Sequence, residues 1–462
     1  PLDSGTGFAN ARSNSPLFQI ESFVNGVGSE EEGNTTIDLR FTRVAFDEAL
    51  GEGGTRNQRA VAGAIEEVYE EVLENPGDNP EFAGLVSNIF ALGQEGYPLF
   101  LDQLAGSEYP QHLQSVLWST RTINRIVGER MECSGASSPF DIDGGTSAAL
   151  GDGTSAVPVA DAPSEEPMAS SGCFDREKVQ VWVRGFGSWN ELDGDREAPG
   201  FDESQYGVIF GADYSFTESW FLGIAGGYFD SNGDFDSWGG RRGASIDYDG
   251  LQLAAYGGYD NSVVYARGVL AYGNYDGDSE RDIYIPDLVS GRLSGDPSSD
   301  VLSFYGEAGY RFDISSGLNL TPYAGVTLAR ANLDGFTEKD PDGTGAALSV
   351  HDSDAESFAS VLGLRLDGEV ALGSGTFLPE LSVAWSHEFG DTHQSVKMDF
   401  ADGPPGASFT AIGSDVSRDA LLVSAGTRYL IDYDMEIGLF YNGWFSGDYM
   451  SNAVTARFGY KF

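Results

Sequence analysis

Four histidines (His112, His351, His387 and His393), two cysteines and 72 aspartates and glutamates are the side chains of this 462-residue sequence best suited to chemistry. His387-Glu388 matches the start of a helical zinc motif, in which two histidines four apart hold the metal and the glutamate acts as base. The next histidine, His393, stands six positions on, so zinc is not expected. Asp230-Ser-Asn-Gly-Asp-Phe-Asp236 and Asp340-Pro-Asp-Gly343 bring carboxylates close together. Neither fits the full EF-hand loop, which also needs a glutamate at its twelfth position. A Gly-x-Ser-x-Gly elbow and a phosphate-cradling Gly-rich loop are both missing from the sequence. The acidic residues are too many to single out a general acid–base pair, and a solvated face explains them better. The residues therefore point to no catalysis of the chain's own, no cofactor and no metal. The formal net charge of -46 also argues against nucleic acid, because phosphate contacts need Lys and Arg. It suits solubility in a salty medium.

The elements that would carry these side chains are strands. Mean hydropathy is -0.24, and no run of about 18 apolar residues suggests a membrane helix. A membrane barrel is compatible with that value, because alternation hides its apolar face from any window average. From Val179 to Phe462 the sequence breaks into twelve segments of period two. Tyr206, Val208, Phe210, Ala212 and Tyr214 share one face, as do Leu251, Leu253, Ala255, Gly257 and Tyr259. The last segment places Val454, Ala456, Phe458, Tyr460 and Phe462 together. An apolar closing edge of this kind would aggregate in a soluble sheet, whereas barrel closure removes the edge. Out of phase with the apolar set lie Arg184, Asp213, Arg267, Glu307, Arg311, Arg365, Glu380, Arg428, Glu436 and Arg457. In a barrel that face points to a polar lumen. Connections alternate between tight turns, such as Ser215 to Ser219, and long acidic loops, such as Glu388 to Ser417. The expected fold is therefore mainly β: a twelve-stranded antiparallel transmembrane barrel, residues 176–462, with an N-terminal α-helical region.

That helical region spans residues 55–132. Thr55 is a candidate cap, and Val61, Ile65, Val68 and Val72 recur at helical spacing. A second helix is expected from Glu81 to about Leu92, and a third from about Tyr109 to Met131. Residues 133–175 have the Gly, Ser, Ala, Pro and acid content of a flexible linker. Residues 1–54 offer one strand, from Thr35 to Val44. The chain begins on Pro1 without a signal peptide, so it reads as part of a longer product.

Four stretches, in order, resemble the autotransporter family of type V secretion: Thr55-Arg-Asn-Gln-Arg-Ala-Val-Ala62, Tyr97-Pro-Leu-Phe-Leu-Asp-Gln-Leu-Ala-Gly-Ser-Glu-Tyr109, Val181-Trp-Val-Arg-Gly-Phe-Gly-Ser-Trp189 and Phe458-Gly-Tyr-Lys-Phe462. The resemblance implies a monomeric barrel in the bacterial outer membrane, among its lipids, with a helix left in the lumen. It also implies a passenger exported to the cell surface with help from the barrel-assembly machinery, which would recognise Phe458, Tyr460 and Phe462. Residues 1–54 then read as the last piece of that passenger. One departure is the linker 133–175, where the family's helix usually leads almost directly into the first strand. On this reading Arg121 and Arg125 lie on the lumen helix and could pair with Glu307, Glu380 or Glu436. The end of the linker near Arg176 is the rival occupant. Some members cut off their passenger at an Asn of this helix. Asn124, in Thr122-Ile-Asn-Arg-Ile126, holds such a place, although an ordinary polar helix residue is the simpler reading. If the third helix is the plug, Cys133 and Cys173 meet at the periplasmic mouth and could form a disulfide in that oxidising compartment. The alternatives are a porin or adhesin barrel without a large passenger, and a soluble β-rich enzyme.

Overall fold

The computed structural model describes residues 13–25, 36–131 and 179–460, apart from 218, 239–242, 262, 316, 374 and 432–434. Twelve antiparallel strands form its wall. In order they are Val179–Leu192, Phe201–Ser215, Trp220–Phe235, Ser245–Asp260, Val264–Ile285 and Ser298–Tyr310. Leu318–Leu333, Ser353–Gly368, Gly375–Glu388, Asp419–Ile431, Met435–Phe445 and Tyr449–Tyr460 complete the set. Each pairs with the next, and the twelfth returns to the first, with Val454 opposite Gly187 and Gly459 opposite Trp182. The twelve-stranded wall is thereby closed on itself.

Period-two patterning produces two unlike faces. Ile224 is 69% exposed and Leu253 64%, whereas Gln252, one residue from Leu253, is fully buried. An apolar outer band with polar residues inside is the reverse of a soluble protein, and lipid is the solvent that makes it stable. Inside the wall, large rings lie flat over glycines of the neighbouring strand. Trp182 sits directly opposite Gly211, where a Cβ would stand 2.5 Å from the indole. Tyr256 opposite Gly223 and Phe440 opposite Gly426 make the same contact.

One end of the barrel has tight turns and the other has long excursions. Three stretches read as loops in the sequence contain strands. The fifth strand runs on for 22 residues and returns through Val289–Gly295. The connections after the seventh and ninth strands pair with each other in a four-stranded sheet of Phe336–Thr337, Leu348–Val350, Ser395–Phe400 and Ser408–Ile412. These are short bursts of alternation among Gly, Pro and Asp, too brief for periodicity to distinguish from loop. The central pairing, Leu348–Val350 with Ser395–Phe400, also joins stretches distant in sequence.

Helix α1, Arg56–Glu74, starts at a capping box between Thr55 and Gln58. It buries Val61, Ile65, Val68 and Val72. Helices α2, Pro80–Ile89, and α3, Gly96–Leu104, follow. Helix α3 is not among the helices expected from the sequence, because nine residues are too few to show a helical period. Helix α1 lies along Ser408–Ile412, α3 touches the fifth strand, and Phe82 of α2 packs on Phe400 at 5.1 Å between ring centroids. The three helices thus form a cap on the long-loop end. A hairpin of Phe18–Asn25 and Thr36–Arg43 joins it, tied to α1 by Arg43 and Glu66 at 2.6 Å.

Within the cap, Asp102 of α3 is buried and accepts two hydrogen bonds from Gln58 Nε2, at 2.9 and 3.0 Å. Burial pushes its carboxyl up to about 7. The folded cap therefore holds this proton more tightly than the unfolded chain, whose value is about 3.9. The resulting stability is complete below about pH 4 and is lost as pH rises through about 7. Asp102→Asn is expected to flatten this dependence. The check is protease resistance of the cap between pH 5 and pH 8, and an unaltered pH profile in the variant would refute it.

Candidate functional site: a helix in the pore

Helix α4, Glu108–Arg130, occupies the lumen. Its 23 residues span about 34 Å at the usual rise, enough to cross a hydrocarbon core of about 30 Å. It is buried on nearly every side, so its polar residues need partners from the wall. Near the long-loop mouth Tyr109 donates to Glu338 at 2.6 Å, and Gln111 to Ser414 at 2.9 Å. Deeper in the lumen, Ser115 meets Tyr248 at 3.0 Å and also donates to Glu203. Ser119 meets Tyr275 at 2.7 Å, and Asn124 donates to Ser303 at 3.3 Å. At the short-turn mouth Arg130 grips both oxygens of Asp213 at 3.0 Å and reaches Gln180 of the first strand at 2.5 Å. The helix therefore runs from the long-loop mouth to the short-turn mouth.

The charged wall residues singled out in the sequence, Arg184, Asp213, Arg267, Glu307, Arg311, Arg365 and Arg428, are all buried, and the side chains of Glu380 and Glu436 are largely covered. Two of them reach the helix backbone. Arg184 donates to the carbonyl of Ile126, and Arg267 to that of Gly128 at 2.9 Å. These carbonyls lie at the C-terminal end of the helix, where the macrodipole favours cations.

The expected pairs between helix and wall take a different form. Glu307 faces Arg267 at 2.8 Å and Arg365 at 3.5 Å. Glu380 also faces Arg365, at 3.4 Å, and Glu436 faces Arg457 at 2.5 Å. Wall pairs with wall because opposite charges already stand on neighbouring strands or, for Glu307 and Arg365, two strands apart. Arg121 instead places its guanidinium 3.9 Å from the ring centroid of Trp444 and 5.1 Å from that of Trp118, a cation–π arrangement. Arg125 donates to Thr455 and to Glu129, both at 3.0 Å.

Glu129 was not singled out in the sequence, yet it is the acceptor for Arg125, for Arg184 at 3.4 Å and for Asn442 at 3.1 Å. It binds the helix to the first and eleventh strands. The only hint in the sequence is a Glu-Arg pair closing a helix. A cleft of about 240 Å³ remains beside α4, bordered by Arg121, Arg125, Glu380, Ser386, Ser424 and Trp444. Phe458 presents its ring on the outer face, 46% exposed. The side chain of Tyr460, Phe462, Cys133, Cys173 and Arg176 lie outside the described residues.

The family model for the autotransporter beta-domain matches residues 181–442. An extracellular serine protease of Serratia marcescens is 26% identical over 282 residues, covering 61% of this chain and 26% of that protein. The esterase EstA of Pseudomonas aeruginosa is 26% identical over 282 residues, covering 59% of this chain and 41% of its own length. The chain thus spans well under half the length of these curated relatives. Among solved structures, the translocator domain of NalP from Neisseria meningitidis is 14% identical with a TM-score of 0.48. It covers 62% of this chain and 88% of that one. The beta domain of the Bordetella autotransporter BrkA is 19% identical with a TM-score of 0.44, covering 62% and 99%. The family match takes in more than half of the chain, and the chain belongs to the autotransporter family, its barrel an outer-membrane translocator.

Proposed function

We propose that the chain holds an exported passenger at the cell surface, and that α4 is the last exported segment, arrested in the pore. The direction of α4 carries this reading. Glu108 meets Arg281 at the long-loop mouth, and the described residues upstream of it gather at that end. Long loops face outward in outer-membrane barrels. Residues 1–54 then belong with the passenger. The names of the relatives, a serine protease and an esterase, favour an enzymatic passenger attached to a barrel that does no chemistry itself. A helix-filled lumen argues against a general diffusion porin. Assembly through recognition of Phe458, Tyr460 and Phe462 by the barrel-assembly machinery, among outer-membrane lipids, belongs to the same proposal.

The test is an epitope placed before α1 and probed on intact cells with antibody and protease. The epitope is expected to be reached and removed without breaching the membrane. Deleting Phe462 is expected to lower both the surface signal and the heat-modifiable barrel on gels. An epitope reached only after the outer membrane is opened would reverse the orientation and sink the proposal.

A further inference from the structure

The fifth strand carries Arg281 in its outer extension, past the point where its neighbours form the wall. Arg281 is 4% exposed, and its partners come from four segments. Its Nε and Nη2 donate to the two oxygens of Glu338, at 3.1 and 2.6 Å. Its Nη2 also donates to the carbonyl of Ala346 at 3.0 Å, and its Nη1 to the carbonyl of Gln103 at 2.7 Å. The carboxylate of Glu108 lies 3.2 Å from Nε. Glu338 in turn accepts from Tyr109 at 2.6 Å and from the backbone N–H of Leu348 at 2.8 Å.

The set divides by origin. Arg281, Glu338, Ala346 and Leu348 belong to the barrel and its loops. Gln103, Glu108 and Tyr109 belong to the end of α3 and the start of α4, the stretch just upstream of the pore. We propose that Arg281 is a positioning residue for export. It captures the Gln103–Tyr109 stretch when this reaches the outer mouth, and so fixes the register at which α4 comes to rest. This rests on the reading that the chain upstream of α4 is exported.

The geometry supports capture rather than simple wall packing. Within the barrel, Arg281 has the bidentate pairing with Glu338 that suits a planar guanidinium. That pairing leaves Nη1 directed at the place where the Gln103 carbonyl arrives. The side chain of Gln103 is held there as well. Its Oε1 accepts from the backbone N–H of Tyr284 at 2.8 Å, and its Nε2 donates to the carbonyl of Trp238 at 3.1 Å. One residue of the exported chain is thus bound through backbone and side chain at a single site on the barrel's outer edge. A lysine has one ammonium on a flexible stem and cannot reproduce the planar fork.

Register can be read independently of barrel stability. Asn124 and Ser303 are in hydrogen-bond contact across the lumen. The pair Asn124→Cys with Ser303→Cys, in the full chain with Cys133→Ser and Cys173→Ser, reports whether α4 sits at its observed height. In cells, Arg281→Met is expected to lower oxidative cross-linking at least about fivefold, because a buried charge set has lost its cation. The heat-modifiable fraction should stay unchanged, and Arg281→Lys should fall between. Cross-linking equal to that of the unsubstituted Arg281 protein would overturn the proposal. If Arg281→Met yields no heat-modifiable barrel, Arg281→Lys decides: reduced cross-linking in a normally folded barrel supports the role, and full cross-linking overturns it. The surface epitope before α1 is scored in the same cells. Its absence in every variant means the export reading has failed, whereas its presence with unchanged cross-linking means only the role of Arg281 has failed.

Discussion

Glu129→Ala is expected to loosen the helix in the pore by about 3–5 kcal/mol, the usual cost of removing one partner from a buried charge set. Arg125, Arg184 and Asn442 all donate to or face this carboxylate. Removing it takes the carboxylate from Arg184, whose side chain is almost wholly buried, and leaves Arg125 with Thr455. The helix would also lose its links to the first and eleventh strands, on the side where the cleft already runs. Planar-bilayer recordings of the purified protein should show more frequent and larger openings in Glu129→Ala. Glu129→Gln keeps an acceptor of the same length and should be milder. Conductance of Glu129→Ala indistinguishable from the native protein would show that the helix is held elsewhere.

Gly106→Val is expected to unseat the helical cap at a cost of about 3 kcal/mol, combining backbone strain with overpacking. Gly106 joins α3 to α4 at φ +60°, a conformation that β-branched residues strongly avoid. Space is short as well: a Cβ there would stand 2.6 Å from Leu348 Cδ1 and 2.9 Å from Met398 Sδ. Both neighbours are buried and belong to the outer four-stranded sheet, so they have little room to give. Protease added to intact cells should cut the cap of Gly106→Val faster, while the barrel keeps its heat-modifiable mobility. Gly106→Ala should behave similarly with a smaller effect. A cap as resistant as the native one would mean that the turn can relax around a side chain.

The wall of the barrel was legible because each strand repeats a two-residue pattern over eleven residues or more. Leu251 and Leu253 outward with Gln252 inward is a local statement, and local statements survive in sequence. The outer sheet was not legible, because Leu348–Val350 has only three residues and takes its partner from Ser395–Phe400. Helix α4 was recognisable as a helix, but its charge partners were not. Which of several arginines meets Glu129 depends on how the helix is rotated in the pore, and a helix buried on nearly every side gives no amphipathic stripe to fix that rotation. Arg281 and Glu338 were hidden because each sits in an excursion that reads as loop, and they meet only when two such excursions, 57 residues apart, come together.

The rings over glycines in the wall have a bearing on how twelve similar strands find their proper heights. Alternation acts as a parity rule: a slip of one residue turns every lipid-facing side chain inward and is rejected. A slip of two preserves parity, and alternation is blind to it. The rings are not blind to it. Trp182 shifted by two would meet Ile209 or Asp213 in place of Gly211. Phe440 would meet Ser424 or Arg428 in place of Gly426, and Tyr256 would meet Phe221 or Ala225 in place of Gly223. Each substitute carries a side chain where the ring needs bare backbone. The barrel thus combines two checks on alignment, one against odd errors spread along every strand and one against even errors placed at a few seams.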